Sequence, residues 1–335
     1  IYMHKENLKV LVTGSAGFLG ASMSYELLKN NFKVIGVDNY INSDEKNTSI
    51  IKRLFDDRFN FVEADISNNN EALESIFSEF KPNLVMHFAA LKSVPESIKK
   101  PKLYLENNIK GTENILNFMR KFECKNIIYS SSAAVYSEKN IQPLDEDSLL
   151  EAKTPYAESK IECEKRIINA TSSDKIKAVI LRYFNPVCSH KDNIIHDNIN
   201  NGSIMNEIIK TALGINKKLL INGNDYDTKD GTCERDFIHV QDLLNAHIEC
   251  LNLLKEIKNF IIMNVGTGRS ISILELIDAF QYFNSINIDH SFSKRRDGDI
   301  VRSFTNSNKI YDQINWNALY GLSEIVKDSW LPFSK

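Results

Sequence analysis

Three glycines spaced by three, between a short apolar run and a stretch able to continue as a helix, restrict this chain's fold more than any other feature. The segment reads Lys9-Val10-Leu11-Val12-Thr13-Gly14-Ser15-Ala16-Gly17-Phe18-Leu19-Gly20. Its aliphatic, β-branched start is that of a parallel strand buried on both faces. Ala21 to Asn30 can then run as a helix. In such a junction one glycine makes the tight turn, one lets a pyrophosphate approach bare backbone, and one lets helix and strand pack closely. The first N–H groups of the helix and its positive dipole end hold phosphate oxygens.

A strand–turn–helix junction alone is common, and the context that makes it a dinucleotide site is a second strand ending in an acid about twenty residues on. Phe32-Lys33-Val34-Ile35-Gly36-Val37-Asp38 supplies that acid eighteen residues after Gly20. A carboxylate there accepts hydrogen bonds from the adenosine ribose and repels a 2′-phosphate. Asn39, Tyr40 and Ile41 offer no arginine to receive that phosphate, so NAD is expected rather than NADP.

The pattern repeats along the first half. A helical stretch to about Asp57 precedes a strand from Phe59 to Asp65, whose acid can reach the adenine amino group or simply close a turn. Glu71 to Phe80 reads as a helix, and Asn83 to Ala90 as a strand whose small residues Ala89 and Ala90 allow close backbone approach. Leu103 to Lys121 and Pro155 to Ala170 read as helices, with strands from Lys125 to Ser132 and from Lys177 to Phe184. Alternating strands and helices predict an α/β doubly wound parallel sheet that binds ligands outside the carboxyl ends of its strands. From Asn185 the pattern changes. Asn185 to Ser203 is a polar loop long enough to suggest a lid or binding segment. Helices follow at Asn206–Leu213, Val240–Leu254, Ser270–Phe280 and Leu322–Trp330. This predicts a smaller C-terminal α/β substrate domain over 185–335, beside a dinucleotide domain over 1–184 to which 237–265 returns.

Composition removes other classes. With 335 residues, 42% hydrophobic, 25% charged and a net charge of −3, the chain has the balance of a soluble globular protein. That charge argues against nonspecific binding to nucleic acid or anionic membranes. No apolar run reaches the eighteen residues a membrane span needs, and Ile1 to Asn7 has neither the apolar core nor the cleavage site of a signal peptide. The five cysteines and seven histidines show no metal-ligand spacing. Reduced thiols in a cytoplasmic protein, and no metal site, are the expectation.

Tyr156-Ala157-Glu158-Ser159-Lys160 places a tyrosine and a lysine four apart on one helix face. A phenol with a pKa near 10 is a poor base at neutral pH. One unit charge at about 4 Å and an effective dielectric of ~20 contributes about 4 kcal/mol, nearly three pKa units. The lysine ammonium and the positive nicotinamide together are therefore expected to poise Tyr156 near neutral pH as a general base. Ser132, at a strand end twenty-four residues earlier, can share the substrate hydroxyl and relay its proton.

Together these marks, Gly14, Gly17, Gly20, Ser132, Tyr156 and Lys160, resemble those of the extended short-chain dehydrogenase/reductase family. Within it, Gly223-Asn224-Asp225-Tyr226-Asp227-Thr228-Lys229-Asp230-Gly231-Thr232-Cys233-Glu234-Arg235-Asp236-Phe237-Ile238-His239-Val240 is similar to the pattern of the UDP-glucose 4-epimerase (UDP-galactose 4-epimerase) group. Leu181-Arg182-Tyr183-Phe184-Asn185-Pro186 and Asn264-Val265-Gly266-Thr267-Gly268 match as well, so the resemblance covers nearly the whole chain. It implies a Rossmann fold with NAD as cofactor, a UDP-sugar as substrate and a homodimer formed through the helices beginning near Leu103 and Pro155. By the same likeness Gly14, Gly17, Phe18, Leu19, Gly20, Asp38, Asn39, Asn42, Ser43, Asp65, Ile66, Phe88, Ala89, Ala90, Lys92, Asn107, Ser130, Tyr156, Lys160 and Phe184 line the cofactor. Asn185, Arg235 and Arg296 hold the UDP diphosphate and sugar, and Asp299 holds the uridine ribose. Lys92, Ser132, Tyr156, Ser203, Ile204, Asn222 and Ser303 complete the substrate set.

The implied reaction is proton removal from the sugar 4-hydroxyl by Tyr156 with hydride transfer from C4 to NAD, turnover of the 4-keto sugar, and return of the hydride to its opposite face. The chain departs from the pattern in its lid. It reads Gly202-Ser203-Ile204 where relatives carry an Asn-Asn-Leu uracil contact, with Asn200-Asn201 as the alternative match, and Asn222 replaces an aromatic residue. Ser303, four after Asp299, stands where a tyrosine is associated with exclusion of N-acetylated sugars; serine leaves room for them. Related readings are another nucleotide-sugar 4-epimerase, a 4,6-dehydratase, or a non-catalytic NAD-binding scaffold. A dehydratase carries an acid soon after the serine, whereas Ala133, Ala134 and Val135 follow Ser132.

Overall fold

The computed structural model describes residues 8–68, 70–296 and 298–334. Ile1–Asn7, read above for a signal segment, Asn69, Asp297 of the Arg-Arg-Asp-Gly-Asp stretch and Lys335 lie outside the described residues. Val10, Leu11 and Val12 have no exposed surface, which is why an uninterrupted aliphatic run makes the first strand, β1 (Lys9–Thr13), of a sheet covered on both faces. In chain order there follow α1 (Phe18–Lys29), β2 (Lys33–Asp38), α2 (Lys46–Leu54), β3 (Phe59–Glu63), α3 (Asn70–Ser75), β4 (Leu84–His87), α4 (Val94–Lys99), α5 (Pro101–Lys121), β5 (Asn126–Ser132), α6 (Pro155–Ser173) and β6 (Lys177–Tyr183). Beyond these lie β7 (Asn185–Val187), α7 (Ile204–Ala212), β8 (Leu219–Asn222), β9 (Glu234–Arg235), β10 (Phe237–His239), α8 (Val240–Glu256) and β11 (Phe260–Val265). The chain ends with β12 (Ile271–Ser272), α9 (Ile273–Asn284), β13 (His290–Ser293), β14 (Arg302–Ser303), α10 (Asn308–Ile314) and α11 (Leu322–Trp330).

Seven strands form one parallel sheet in the order β11-β6-β5-β4-β1-β2-β3. The order reverses between β1 and β4, the switch point outside which ligands bind in such sheets. Register aligns the strand ends there: Thr13 lies opposite both Val37 and His87, and His87 opposite Tyr129. Gly14, Asp38, Phe88 and Ser130, each the next residue, therefore lie along one edge of the sheet. Two helices that frame this edge start on proline, whose fixed φ suits a first turn: Pro101 in α5, and Pro155 in α6, where Thr154 caps Ala157 N–H at 3.2 Å. The helix expected over Glu71–Phe80 is α-helical only to Ser75 and closes as a π-turn over Ile76–Phe80. Lys81 there takes a left-handed φ of 53°, and Pro82, which follows it, does not continue the helix.

The chain divides into two compact units. One runs to Ser137 and resumes over Leu149–Arg182 and His247–Met263; the other comprises Glu138–Ser148, Tyr183–Ala246 and the residues from Asn264 on. The first is built round Leu11, Ile35, Val37, Val85, Ile127 and Ile180 of the sheet, with Ile115, Met119, Cys163 and Ile167 of the helices. The second packs Val187, Ile208, Leu219, Ile221, Phe237, Leu276, Phe280 and Val326 into its own core. Its strands come in small sets, β7 parallel to β10, β8 parallel to β13, and β9 between β12 and β14. Nothing in the sequence pattern marks Glu138–Ser148 as part of this second unit. It is held there by Leu144, whose N–H reaches Phe304 O at 2.9 Å and whose carbonyl accepts from Asn306 N at 2.7 Å.

Candidate active site

The glycine turn is bare where the sequence requires it. Gly14 has a φ of 70°, and a Cβ there would meet Ala89 N at 2.8 Å; a Cβ on Gly20 would strike the Gly14 carbonyl. Gly17 caps α1 without a side chain, and no acid sits in the first turn of that helix. Asp38 is already engaged by its own chain: Oδ2 accepts from Ala16 N at 3.0 Å, and Oδ1 from Tyr40 N at 2.9 Å and Ser43 Oγ at 3.1 Å. A carboxylate has about four acceptor sites, so one remains for a ribose hydroxyl. An uncapped helix start, bare backbone and a ribose-type acceptor fit a dinucleotide without a 2′-phosphate.

The other residues read as cofactor-lining fall into three groups. Asp65 receives Ser67 N–H at 2.8 Å and Asn68 Nδ2 at 3.1 Å. Burial would raise its pKa, yet these hydrogen bonds hold it below the usual value. Ile66 is buried beside it, Asn39 Oδ1 accepts from Ile41 N, and Asn42 is exposed. Phe88 stacks on His247 with ring centres 5.2 Å apart, Ala90 is half-buried and Lys92 is exposed. Asn107 donates to Asn108 Oδ1, and Phe184 N reaches Val265 O at 3.2 Å. Phe18 and Leu19 are half-buried in the first turn of α1.

At the exit of β5, Ser132 accepts Ala134 N–H at 3.2 Å, and its hydroxyl acts to lower the pKa of Tyr156. Lys160 is buried one turn along α6. Its Nζ donates to Ser130 O at 2.6 Å and stands 4.9 Å from the Tyr129 ring centre and 6.0 Å from that of Tyr156. The structure thus brings Ser130, Ser132, Tyr156 and Lys160 together. Burial raises the Tyr156 pKa above its ordinary value, and the Ser132 hydroxyl only partly offsets this. Burial also lowers the Lys160 ammonium to about 8, with Cys163 and Glu164 acting the other way.

Two groups beneath this set escaped the sequence reading. Glu164 and Arg182 form a buried ion pair at 2.7 Å; the four-residue step from Lys160 to Glu164 was the available signal. His87 lies between Thr13 Oγ1 at 2.6 Å and Thr112 Oγ1 at 3.0 Å. Thr112 gives its proton to Asn108 O or Cys163 Sγ, so the imidazole carries its hydrogen on Nε2.

In the second unit Arg235 and Arg296 converge on one carboxylate. Arg296 Nη2 lies 2.7 Å and Arg235 Nη2 3.8 Å from Asp299 Oδ1. Arg235 is fixed further by Nη1 bonds to Glu234 O and Ile300 O, each 2.8 Å. Ser303 is buried and lies beside Arg235 in the parallel register of β14 and β9. Asp236, assigned no role above, accepts Thr267 N at 2.8 Å, Gly268 N at 2.9 Å and Thr305 N at 3.2 Å, and so pins the backbone on both sides of Arg235. Asn185 Nδ2 donates to Asp236 O, and Asn222 Oδ1 accepts from Ser293 Oγ. Ser203 is committed to capping α7, which Ile204 begins. Among the described residues no group of three or more His, Cys, Asp or Glu is placed to hold a metal, and no helix is long and apolar enough to cross a membrane.

A doubly wound parallel sheet with a glycine turn at its switch point, and a serine, tyrosine and lysine at a neighbouring strand end, defines the class: a Rossmann-type α/β protein. Residues 10–266 match the model of the NAD dependent epimerase/dehydratase family, and the chain belongs to that family. It is 38% identical over 329 residues to UDP-glucose 4-epimerase 2 of Arabidopsis thaliana, covering 96% of this chain and 93% of that one. It is 36% identical over 326 residues to UDP-glucose 4-epimerase of Bacillus subtilis, covering 96% of both. A crystal structure of UDP-glucose-4-epimerase from Stenotrophomonas maltophila, with bound NAD and formylated UDP-arabinopyranose, superposes with a TM-score of 0.93 at 35% identity, covering 97% of this chain and 98% of that chain.

Proposed function

We propose that this chain interconverts UDP-glucose and UDP-galactose by inversion at C4 of the sugar, with NAD as a retained cofactor. The observation that carries the reading is Ser132 at the end of β5 with Tyr156 and Lys160 one turn apart on α6, in a chain similar to 4-epimerases over nearly its full length. Bound NAD supplies the hydride acceptor and donor and a positive nicotinamide charge. Tyr156 takes the proton of the sugar 4-hydroxyl, and Ser132 holds that hydroxyl and relays the proton. Lys160 contributes the chain's own positive charge toward the phenolate. Arg235 and Arg296 hold the diphosphate, so the nucleotide stays bound while the sugar ring presents either face. The binding energy of that remote clamp tolerates a loosely held sugar.

In this reading 1–184, with 237–265 returning, is the NAD-binding domain, and 185–335 is the UDP-sugar-binding domain. The protein works as a cytoplasmic homodimer through α5 and α6. Its five cysteines, all buried and unpaired, suit a reducing compartment. The small, buried Ser303 admits the N-acetylated pair of UDP-sugars alongside the glucose pair. The dehydratase alternative has no support, since Ala133, Ala134 and Val135 follow Ser132. The test is incubation of purified protein with UDP-galactose and no added dinucleotide. Formation of UDP-glucose to a fixed equilibrium ratio is expected; protein that carries NAD yet forms none would overturn the reading.

A further inference from the structure

Glu164 stands one helical turn beyond Lys160 and has no part in the reaction outlined above. Its side chain is 3% exposed and is held from two strands at once. Arg182 on β6 donates from Nε to Oε1 at 3.0 Å and from Nη2 to Oε2 at 2.7 Å, and Ser131 on β5 donates its hydroxyl to Oε1. The guanidinium continues the chain of contacts: Nη1 donates to Tyr136 Oη at 3.0 Å, and Cζ lies 5.0 Å from that ring's centre. Ser131 and Tyr136 bracket the turn that begins at Ser132. One carboxylate therefore ties the strand end bearing Ser130 and Ser132 to the helix bearing Tyr156 and Lys160.

Cohesion alone does not explain a charged pair here, because well-packed apolar side chains of similar volume usually hold a core as well or better. The charge has a neighbour to answer. Lys160 is buried, and its Nζ has a carbonyl but no carboxylate in salt-bridge range among the described residues. The groups facing it are Tyr129 and the Ser130 carbonyl from β5, Tyr156, Cys163 and Glu164 from α6, and His87 from β4. From α5, Asn108 and Thr112 bring uncharged groups to Ser159 and Cys163. His87 is neutral, pushed down to about 3 by burial and by Lys160 itself. Glu164 is the one carboxylate of this set.

We propose that Glu164 is a positioning residue for the acid–base set: clamped by Arg182 and Ser131, it fixes β5 against α6 and supplies the counter-charge for Lys160. The inference rests on the roles given to Tyr156 and Lys160 under the proposed function. It acts through Lys160 and touches no substrate.

Its test is the pH dependence of kcat for UDP-galactose in the full-length, NAD-loaded protein. Lys160 must be protonated to favour the phenolate, so losing the Glu164 charge moves the alkaline limb to lower pH, by about half to one unit. Glu164→Gln should show that shift with NAD content unchanged. Glu164→Asp, which keeps the charge, should leave the limb in place whatever happens to kcat. Should Glu164→Gln fail to fold, the double variant Glu164→Gln/Arg182→Met leaves no unpaired buried guanidinium and is expected to show the same direction of shift. A folded neutral variant with the wild-type limb, or an equal shift in Glu164→Asp, would overturn the proposal. Absence of conversion by the wild type would instead sink the functional reading.

Discussion

The two regions given a chemical task follow opposite electrostatic plans. Beneath Tyr156 the charges of Lys160, Glu164 and Arg182 are buried and answered from within, by the Ser130 carbonyl and by the Glu164–Arg182 pair. Around Asp299 the cations keep contact with water: the Arg296 side chain is 49% exposed and that of Arg235 15%. The contrast follows from what each must do. A proton-transfer group needs a dry, preorganised site where nearby charge acts strongly. An anion clamp needs arginines that a diphosphate can reach from solvent and pull from an internal carboxylate. One region should therefore control turnover and the other affinity.

Tyr156→Phe tests the first half of that contrast most severely. It removes one hydroxyl, so turnover should fall by about 10² to 10⁴, while NAD content and UDP affinity stay near wild type. A comparable loss of UDP affinity would break the division. The reciprocal test is Arg235→Met or Arg296→Met. Losing a charge-assisted contact of about 1.5–3 kcal/mol raises KM roughly 10- to 100-fold, with kcat nearly kept. The more enclosed Arg235 should give the larger effect, and steady-state kinetics on both variants decides this.

Lys160→Met sharpens the contrast through stability. Burial lowers the folded-state pKa of Lys160 to about 8 from its ordinary 10.5. Between those values the unfolded chain binds the extra proton, so this group's penalty is fully present below pH 8 and fades as pH rises toward 10.5. The methionine variant should lose activity yet unfold about 1–2 kcal/mol less readily at pH 7, with that advantage shrinking above pH 8. Denaturant titrations at pH 7 and 10 check it. In the second region Ser303→Tyr is expected to depress kcat/KM for N-acetylated UDP-sugars by about tenfold against the glucose pair. Unchanged selectivity would remove Ser303 as the gate.

These regions also differed in how far they could be read from sequence. The glycine turn, Asp38, Ser132, Tyr156 and Lys160 were legible because regular elements fix their neighbours: a helix sets Tyr156 against Lys160, and a parallel register carries Gly14, Asp38 and Ser130 to one edge. The phenol's pKa was not legible, since it depends on burial and on where the Lys160 ammonium turns. Glu164 and Arg182 are 18 residues apart on different elements, and such a pairing leaves no periodic trace. In the second unit the strands run two to four residues, too short for alternation to show. Asp236, which holds the backbone on both sides of Arg235, looked like one more residue of a motif.

Oxidation and re-reduction of the sugar at C4 without its release leave a direct isotopic signature. UDP-galactose carrying deuterium at C4 tests it directly, with purified protein and no added dinucleotide. UDP-glucose should retain the label at C4 and gain no hydrogen there from water. Product with the label washed out to solvent, or formation of UDP-glucose only when external dinucleotide is supplied in proportion to product, would contradict it.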